Sequence, residues 1–324
     1  MMVNMKNTWK VNADADRQRL DVFLAGKTGI SRSQAAKSIK NCEVTVNGKK
    51  ASVHKFLNTG DKVVLLEGET IDSAGKKHDI PEPAHHETPY LKVIDETDDF
   101  IVLDKQHGVM VHPDDKQESG TLVDALVEHY PKIAKIGEDP QRPGIMHRLD
   151  KEVSGLMVVA KKQDAFDDLK KQFAEHSVDK KYLALVQGTM SQDEGDIKFR
   201  IARSSSKGRM AARPVHEEQG KAAWTHYKVV KRFRNATLLE LSIFSGRTHQ
   251  IRAHLLALGH PVMGDNLYTV RGTRYAVRNR APRLMLQCIH LGFKDPATGE
   301  DREYDLPPVP EFAAVMAKLK PPSV

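Results

Sequence analysis

The sequence predicts an α+β protein. A large domain is built on a mixed, largely antiparallel sheet with flanking helices, and a small N-terminal α/β module precedes it. Three observations carry this. Beyond residue 89, strand-like segments follow one another through short turns, and few stretches have helical periodicity. Residues 67–88 are poor in apolar side chains and rich in Gly, Pro and acids, which reads as a linker. The 324 residues suffice for two domains. The expected organisation is a tail over 1–16, a module over 17–66, the linker over 67–88 and the large domain over 89–324.

Within the module, Leu20, Phe23 and Leu24 fall at helical spacing, and Gly26 is placed to end that helix. A second helix starts at Ser31, an N-cap residue, with Ala35, Ala36 and Ile39 inward and Arg32, Lys37 and Lys40 on other faces. Val44-Thr45-Val46 alternates into Asn47-Gly48, a strong hairpin signal, and another strand covers Asp61–Leu66.

In the large domain, strands are expected at Tyr90–Asp95, Phe100–Asp104, Gly155–Ala160, Lys181–Gln187, Ala222–Phe233, Ala236–Phe244 and Leu284–Phe293. Helices are expected at Gln163–His176, at Thr248–Leu258 with Thr248 as N-cap, and at Pro310–Leu319, where proline suits the first turn.

The formal net charge is +7, and residues 17–66 alone carry ten Lys/Arg against three acids. A second basic stretch runs from Lys198 to Arg234. Such clustering points to a polyanion partner, nucleic acid first. No run of about 18 apolar residues predicts a membrane span. Met1–Lys10 lacks the apolar core of a secretory leader, and the only cysteines, Cys42 and Cys288, form no metal pattern. A reducing cytoplasm is the expected location, without a membrane. The His85-His86 pair lacks further ligands nearby, and no metal is expected. Phosphate-binding glycine loops, H-E-x-x-H and G-x-S-x-G are absent, so no cofactor is expected.

Two segments set polar residues against apolar runs. One is Pro143 to Asp150, ending His147-Arg148-Leu149-Asp150, followed by Ser154-Gly155-Leu156 and an apolar strand. A charged residue at the mouth of a buried strand needs a partner, and a salt bridge closing the loop would satisfy it. The other is Ser245 to His254, where a strand enters a helix through a Gly turn and Arg252 sits near the apolar face. A buried Arg is costly without a carboxylate, and Asp150 is a candidate partner.

These segments resemble the motifs of the RluA-type pseudouridine synthases. His147-Arg148-Leu149-Asp150 with Ser154-Gly155-Leu156 is similar to the central motif, and Lys181 to Gly188 to the second. Gly246 to His254 with Leu258-Gly259-His260-Pro261 and Gly264-Asp265 is similar to the third, and Pro282 to Leu286 to the closing strand. The N-terminal module resembles the S-four-type RNA-binding domain. The chain departs from the family at Lys105-Gln106, where Lys-Pro is usual, and at Gln287-Cys288, where His-Ala is usual.

The resemblance implies isomerisation of uridine to pseudouridine within RNA. The base is detached, turned and rejoined through carbon 5. Asp150 would be the essential carboxylate, Arg252 its ion-pair partner, and Tyr182 a ring stacked on the uracil that helps remove the carbon 5 proton. Leu286 would wall the pocket. Arg148 would fill the stack vacated by the extruded base, and His147 would stand beside it on the substrate side. Arg32, Lys37 and Lys40 would bind RNA through the small module. Ribosomal large-subunit RNA is the first expected substrate, transfer RNA the second, and a monomer the expected state. Two other readings compete. A glycosidase would need a second carboxylate, and none is obvious here. A non-catalytic RNA-binding ribosome assembly factor would share the basic module without needing the three polar residues.

Overall fold

Met5–Lys10 forms strand β1, so the segment expected as a tail belongs to the sheet of the small unit. Its polar composition hid this, because an edge strand lays only one side on a core. Trp9 pairs with Val63 and packs on that core. The computed structural model describes residues 5–16, 18–30, 34–35, 38–39, 44–51, 55–66, 88–113, 119–204, 209–269 and 281–322. Arg32, Lys37 and Lys40 lie outside these residues, as does the expected linker up to residue 87.

The chain divides into a unit over Met1–Ala84 and another over His85–Val324. In the first, β2 (Val44–Val46), β3 (Lys49–Lys50) and β4 (Lys62–Leu66) join β1 in the order β1-β4-β2-β3, all antiparallel. Asn47 and Gly48 both have positive φ, 53° and 74°, as a type I′ hairpin requires. Helix α1 (Leu20–Thr28) buries Leu20, Phe23 and Leu24 as the spacing predicts, but runs past Gly26 and is closed by Gly29 in the left-handed conformation. Ala35 and Ile39 are helical and buried on the same core.

The second unit is a ten-stranded sheet. Its strands are β5 (Val93–Glu96), β6 (Phe100–Lys105), β7 (Ser154–Ala160), β8 (Asp179–Gln187), β9 (Glu194–Arg203), β10 (Met210–Arg213), β11 (Lys221–Phe233), β12 (Ala236–Ile243), β13 (Leu286–Lys294) and β14 (Asp301–Asp305). The order is β10-β9-β11-β12-β8-β13-β7-β6-β5, with β14 paired to β13. Every pairing is antiparallel except β13 with β7, through Gln287↔Ser154 and Cys288↔Gly155. The expectation of a mixed, largely antiparallel sheet holds. Gly155 is required where β7 meets β13. A Cβ there would collide with the Cys288 carbonyl oxygen, and its φ is 121°.

Among the described residues, four α-helices flank the sheet: α2 (Leu122–His129), α3 (Gln163–Ala174), α4 (Gln250–Ala257) and α5 (Pro310–Met316). Thr121 and Asp124 form a capping box at the start of α2. The N-cap of helix α4 falls one residue later than expected. It is His249, left-handed at φ 53° and making no side-chain cap bond, rather than Thr248. Strand β7 is buried along its whole length, as its continuous apolar run requires. It aims the preceding loop, with Asp150, at the middle of the sheet.

Candidate active site

Asp150, Tyr182, Arg252, Arg148, Leu286 and His147 all line one cleft of about 550 Å³. They come from four places: the loop before β7, strand β8, helix α4 and the start of β13. Tyr182 pairs with Leu241 on one side and Cys288 on the other, and Leu286 lies opposite Ala184. The β8–β13 pairing therefore sets Tyr182 and Leu286 in one pocket wall.

The turn before α4 is fixed by Gln250. Its Nε2 donates to the Trp224 carbonyl and to Thr225 Oγ1, and its Oε1 accepts from Ser245 Oγ and the Arg247 N–H. This pins the helix start to β11 and leaves Arg252 pointing into the site with its side chain 4% exposed. The guanidinium donates to Asp265 through Nε at 2.7 Å and Nη2 at 2.9 Å. Its remaining nitrogen, Nη1, reaches Asp150 Oδ2 at 3.2 Å and Glu152 Oε2 at 3.4 Å. The expected Asp150–Arg252 pair is therefore present, but Asp265 is the main partner.

Geometry explains the division. A planar guanidinium grips one carboxylate with two parallel bonds and has one edge left for another. Glu152 is also a second acid that the sequence did not make obvious. Burial works against the charge on Asp265, yet Arg252 and the Tyr268 and Leu267 N–H groups outweigh it and hold the carboxyl below its usual range. Burial likewise disfavours the Arg252 cation, and Asp265, Asp150 and Glu152 more than restore it.

Both side-chain contacts of Asp150 fall on Oδ2: Arg252 Nη1, and His249 Nε2 at 3.8 Å. Among the described residues no hydrogen bond reaches Oδ1. Tyr182 is buried, with the Cys288 thiol within hydrogen-bonding reach. Burial, Cys288 and the Asp150 charge all push its hydroxyl well above the ordinary phenol range, so it is neutral at neutral pH. Cys288 is itself pushed up to about 12 by burial and stays a thiol.

Arg148 donates from Nη1 to His112 Nε2 at 2.8 Å, and His112 Nδ1 in turn donates to the Pro113 carbonyl. The salt bridge to Asp150 that would have made Arg148 a loop clamp is not formed among the described residues. His147 lines the cleft but is engaged on the protein side. Its Nε2 accepts from the Val158 N–H at 3.0 Å and its ring stacks on Phe173 at 4.4 Å. Burial first, then the Lys180 cation, lower its pKa to about 3, so it is a neutral acceptor that props the loop against β7.

At the first departure from the family pattern, Gln106 contributes its backbone carbonyl to the lysine before it, which matches the family, and at the second Gln287 uses its side chain. Lys105 is fully buried, and its Nζ donates to the carbonyls of Gln106, Val109 and Lys151, tying the Asp150 loop to the end of β6. Gln287 bonds the Pro307 carbonyl and the Val309 N–H, anchoring the segment before α5.

Known proteins share this arrangement of segments. Residues 99–257 match the RNA pseudouridylate synthase family, and residues 18–63 match the S4 domain. An uncharacterized RNA pseudouridine synthase of Aquifex aeolicus is 37% identical over 317 residues, covering 95% of both chains. A ribosomal large subunit pseudouridine synthase D of Nitrosomonas europaea is 34% identical over 300 residues, covering 90% of this chain and 80% of its own. Among solved structures, human RNA Pseudouridylate Synthase Domain Containing 1 aligns with a TM-score of 0.54 at 25% identity, over 72% of this chain and 97% of its own.

Proposed function

This chain belongs to the RNA pseudouridine synthase family and isomerises uridine to pseudouridine in RNA, and we propose that Asp150 is the carboxylate that does so. One observation carries the assignment. Asp150 lines the cleft walled by Tyr182 and Leu286 and is held on Oδ2 by a buried, charge-balanced arginine, while Oδ1 makes no hydrogen bond among the described residues. A carboxylate oriented through one oxygen by a cation, with the other oxygen unbonded, can attack the nucleoside or draw a proton from its sugar.

The other roles follow from position. Tyr182, a neutral phenol, offers a ring for the uracil and a hydroxyl near carbon 5, whose proton leaves as the new carbon–carbon bond matures. Leu286 closes the pocket beside it. Extruding the uridine leaves a gap in the RNA stack, and Arg148, exposed on the cleft rim, has a planar group suited to fill it. His147 supports the loop that presents Arg148 and Asp150. In the small module, the basic residues Arg32, Lys37 and Lys40 bind RNA phosphates.

Ribosomal large-subunit RNA is the substrate we infer, supported by the S4 match and by relatives named for that subunit. The same reading places the chain in the cytoplasm as a monomer. Among the described residues, no helix is long and apolar enough to cross a membrane.

The test is tritium release from RNA labelled at uracil carbon 5. Asp150→Asn should bind RNA and release no tritium; release at the wild-type rate would overturn the assignment. Pseudouridine mapping in cells with and without the gene tests the substrate. Sites lost from large-subunit RNA support it, and sites lost only from transfer RNA overturn it.

A further inference from the structure

His249 combines three features that its role as a helix cap does not explain. Its backbone is left-handed at φ 53°, a conformation that is strained for a non-glycine residue and persists where the surroundings enforce it. Its side chain makes no capping bond. Its two ring nitrogens connect a buried tyrosine to the Asp150 carboxylate: Nδ1 is 3.0 Å from Tyr268 Oη, and Nε2 is 3.8 Å from Asp150 Oδ2.

Proton accounting fixes the direction of this chain. Tyr268 is 1% exposed, and its hydroxyl oxygen already accepts from the Met210 N–H at 2.9 Å. Among the described residues the one acceptor beside this hydroxyl is Nδ1 of His249, and a buried O–H needs an acceptor, so its proton is donated to Nδ1. Nδ1 is then an acceptor, and the ring proton sits on Nε2, facing Asp150. The charged groups around the ring are Asp150, Glu152 and Asp265 of one sign and Arg252 of the other. Burial is the largest influence and keeps the ring below the usual imidazole range, so the donor is neutral.

We propose that His249 is a positioning residue for Asp150, its tautomer set by Tyr268, so that Nε2–H and Arg252 Nη1 together hold Oδ2 and leave Oδ1 for the ribose. A second donor on Oδ2 removes the freedom of the carboxylate to rotate about the single Arg252 contact. A neutral donor does this without adding a second positive charge that would make the carboxylate a poorer nucleophile or base. The 3.8 Å separation suits a contact that tightens when substrate closes the cleft, since catalytic hydrogen bonds are commonly long before substrate binds. The inference rests on Asp150 being the reactive carboxylate.

The experiment is single-turnover tritium release by the full-length chain carrying His249→Ala, His249→Gln, Tyr268→Phe or Asp150→Asn, over a range of RNA concentrations. Misplacing a reacting group by about 1 Å can cost on the order of a hundredfold. His249→Ala should lose up to that much in maximal rate while half-saturation by RNA stays within about twofold of wild type. His249→Gln places an amide N–H where Nε2–H stood and should recover most of the rate, which a purely structural role would not predict. Tyr268→Phe keeps the ring and its packing but frees the tautomer, and should fall between the two. His249→Ala at the wild-type rate, His249→Gln as slow as His249→Ala, or Tyr268→Phe at the wild-type rate would each overturn the proposal. Asp150→Asn separates the two levels: if it is active, the Asp150 reading has failed; if it is inactive while His249→Ala keeps the full rate, only the role of His249 has failed.

Discussion

Arg252 turns the fork of its guanidinium toward Asp265, and only its third nitrogen reaches Asp150. Asp265, with a side chain 0% exposed, is therefore the structural counter-ion, and Asp150 is the carboxylate that the arginine holds at the cleft.

This division predicts unequal losses. Asp265→Asn leaves a buried guanidinium without its main partner and should cost about 3–5 kcal/mol of unfolding free energy, with activity lost as Nη1 drifts. Glu152→Gln, at the exposed edge of the same guanidinium, should cost no more than about 1 kcal/mol. Urea unfolding monitored by fluorescence measures both, and an Asp265→Asn protein as stable as wild type would contradict the assignment.

Arg148 is held by His112 rather than by an acid, so the cost of freeing its guanidinium is that of one hydrogen bond. Arg148→Ala should impair turnover more on structured RNA than on a short flexible strand, where unstacking costs less. Equal losses on the two substrates would return Arg148 to a structural role.

Acid pH should destabilise the larger unit through two histidines held neutral by burial. His147 has its pKa lowered to about 3, and His254, bonded to Thr225 Oγ1, to about 4. Both titrate near 6.5 when unfolded, so the unfolded chain binds more protons below that pH. Their stabilising contribution is complete above about pH 6.5 and is lost as pH falls toward 4 and 3. Each adds a slope of up to about 1.4 kcal/mol per pH unit in that window. His147→Gln retains an acceptor for the Val158 N–H and cannot titrate, so its melting temperature should fall less steeply between pH 6.5 and 4. Parallel melting curves would refute the neutral-histidine assignment.

Removing Met1–Ala84 takes away a unit with its own core and leaves the core of His85–Val324 intact. RNA affinity should drop, and the slope of log affinity against log salt should shrink by about 0.7–0.9 for each phosphate that the shortened protein no longer neutralises. A filter-binding salt series with the natural RNA decides this; an unchanged slope would mean the module does not touch phosphate.

What repeats along the chain or sits within one motif is legible in the sequence. Asp150, Arg252, Tyr182 and Leu286 each lie in a run whose pattern is local, and the cleft does gather them. Asp265 stands beside Gly264, thirteen residues after Arg252, but nothing local says that a loop aspartate will fold back onto a helix. The α2 capping box, Thr121 with Asp124, is a readable signal too short to announce its helix without the apolar face behind it. The alternation of Ile197, Phe199 and Ile201 in β9 is masked by the basic residues between them. The left-handed backbone of His249 is beyond reach, because only tertiary packing imposes it, and the parallel meeting of β7 with β13 joins residues far apart in sequence.

That meeting also dates the active site within synthesis of the chain. Strand β13 lies between β8 and β7, so without it the sheet is two separate pieces. One piece, β7-β6-β5, has the loop of Asp150 between β6 and β7; the other, from β10 to β8, carries Tyr182 and is followed by Arg252. A nascent chain that has not yet extruded Lys294 holds both halves of the chemistry and no way to join them. The small module, complete within its first 66 residues, can form long before, so an emerging chain gains its RNA-binding module well ahead of its ability to modify RNA.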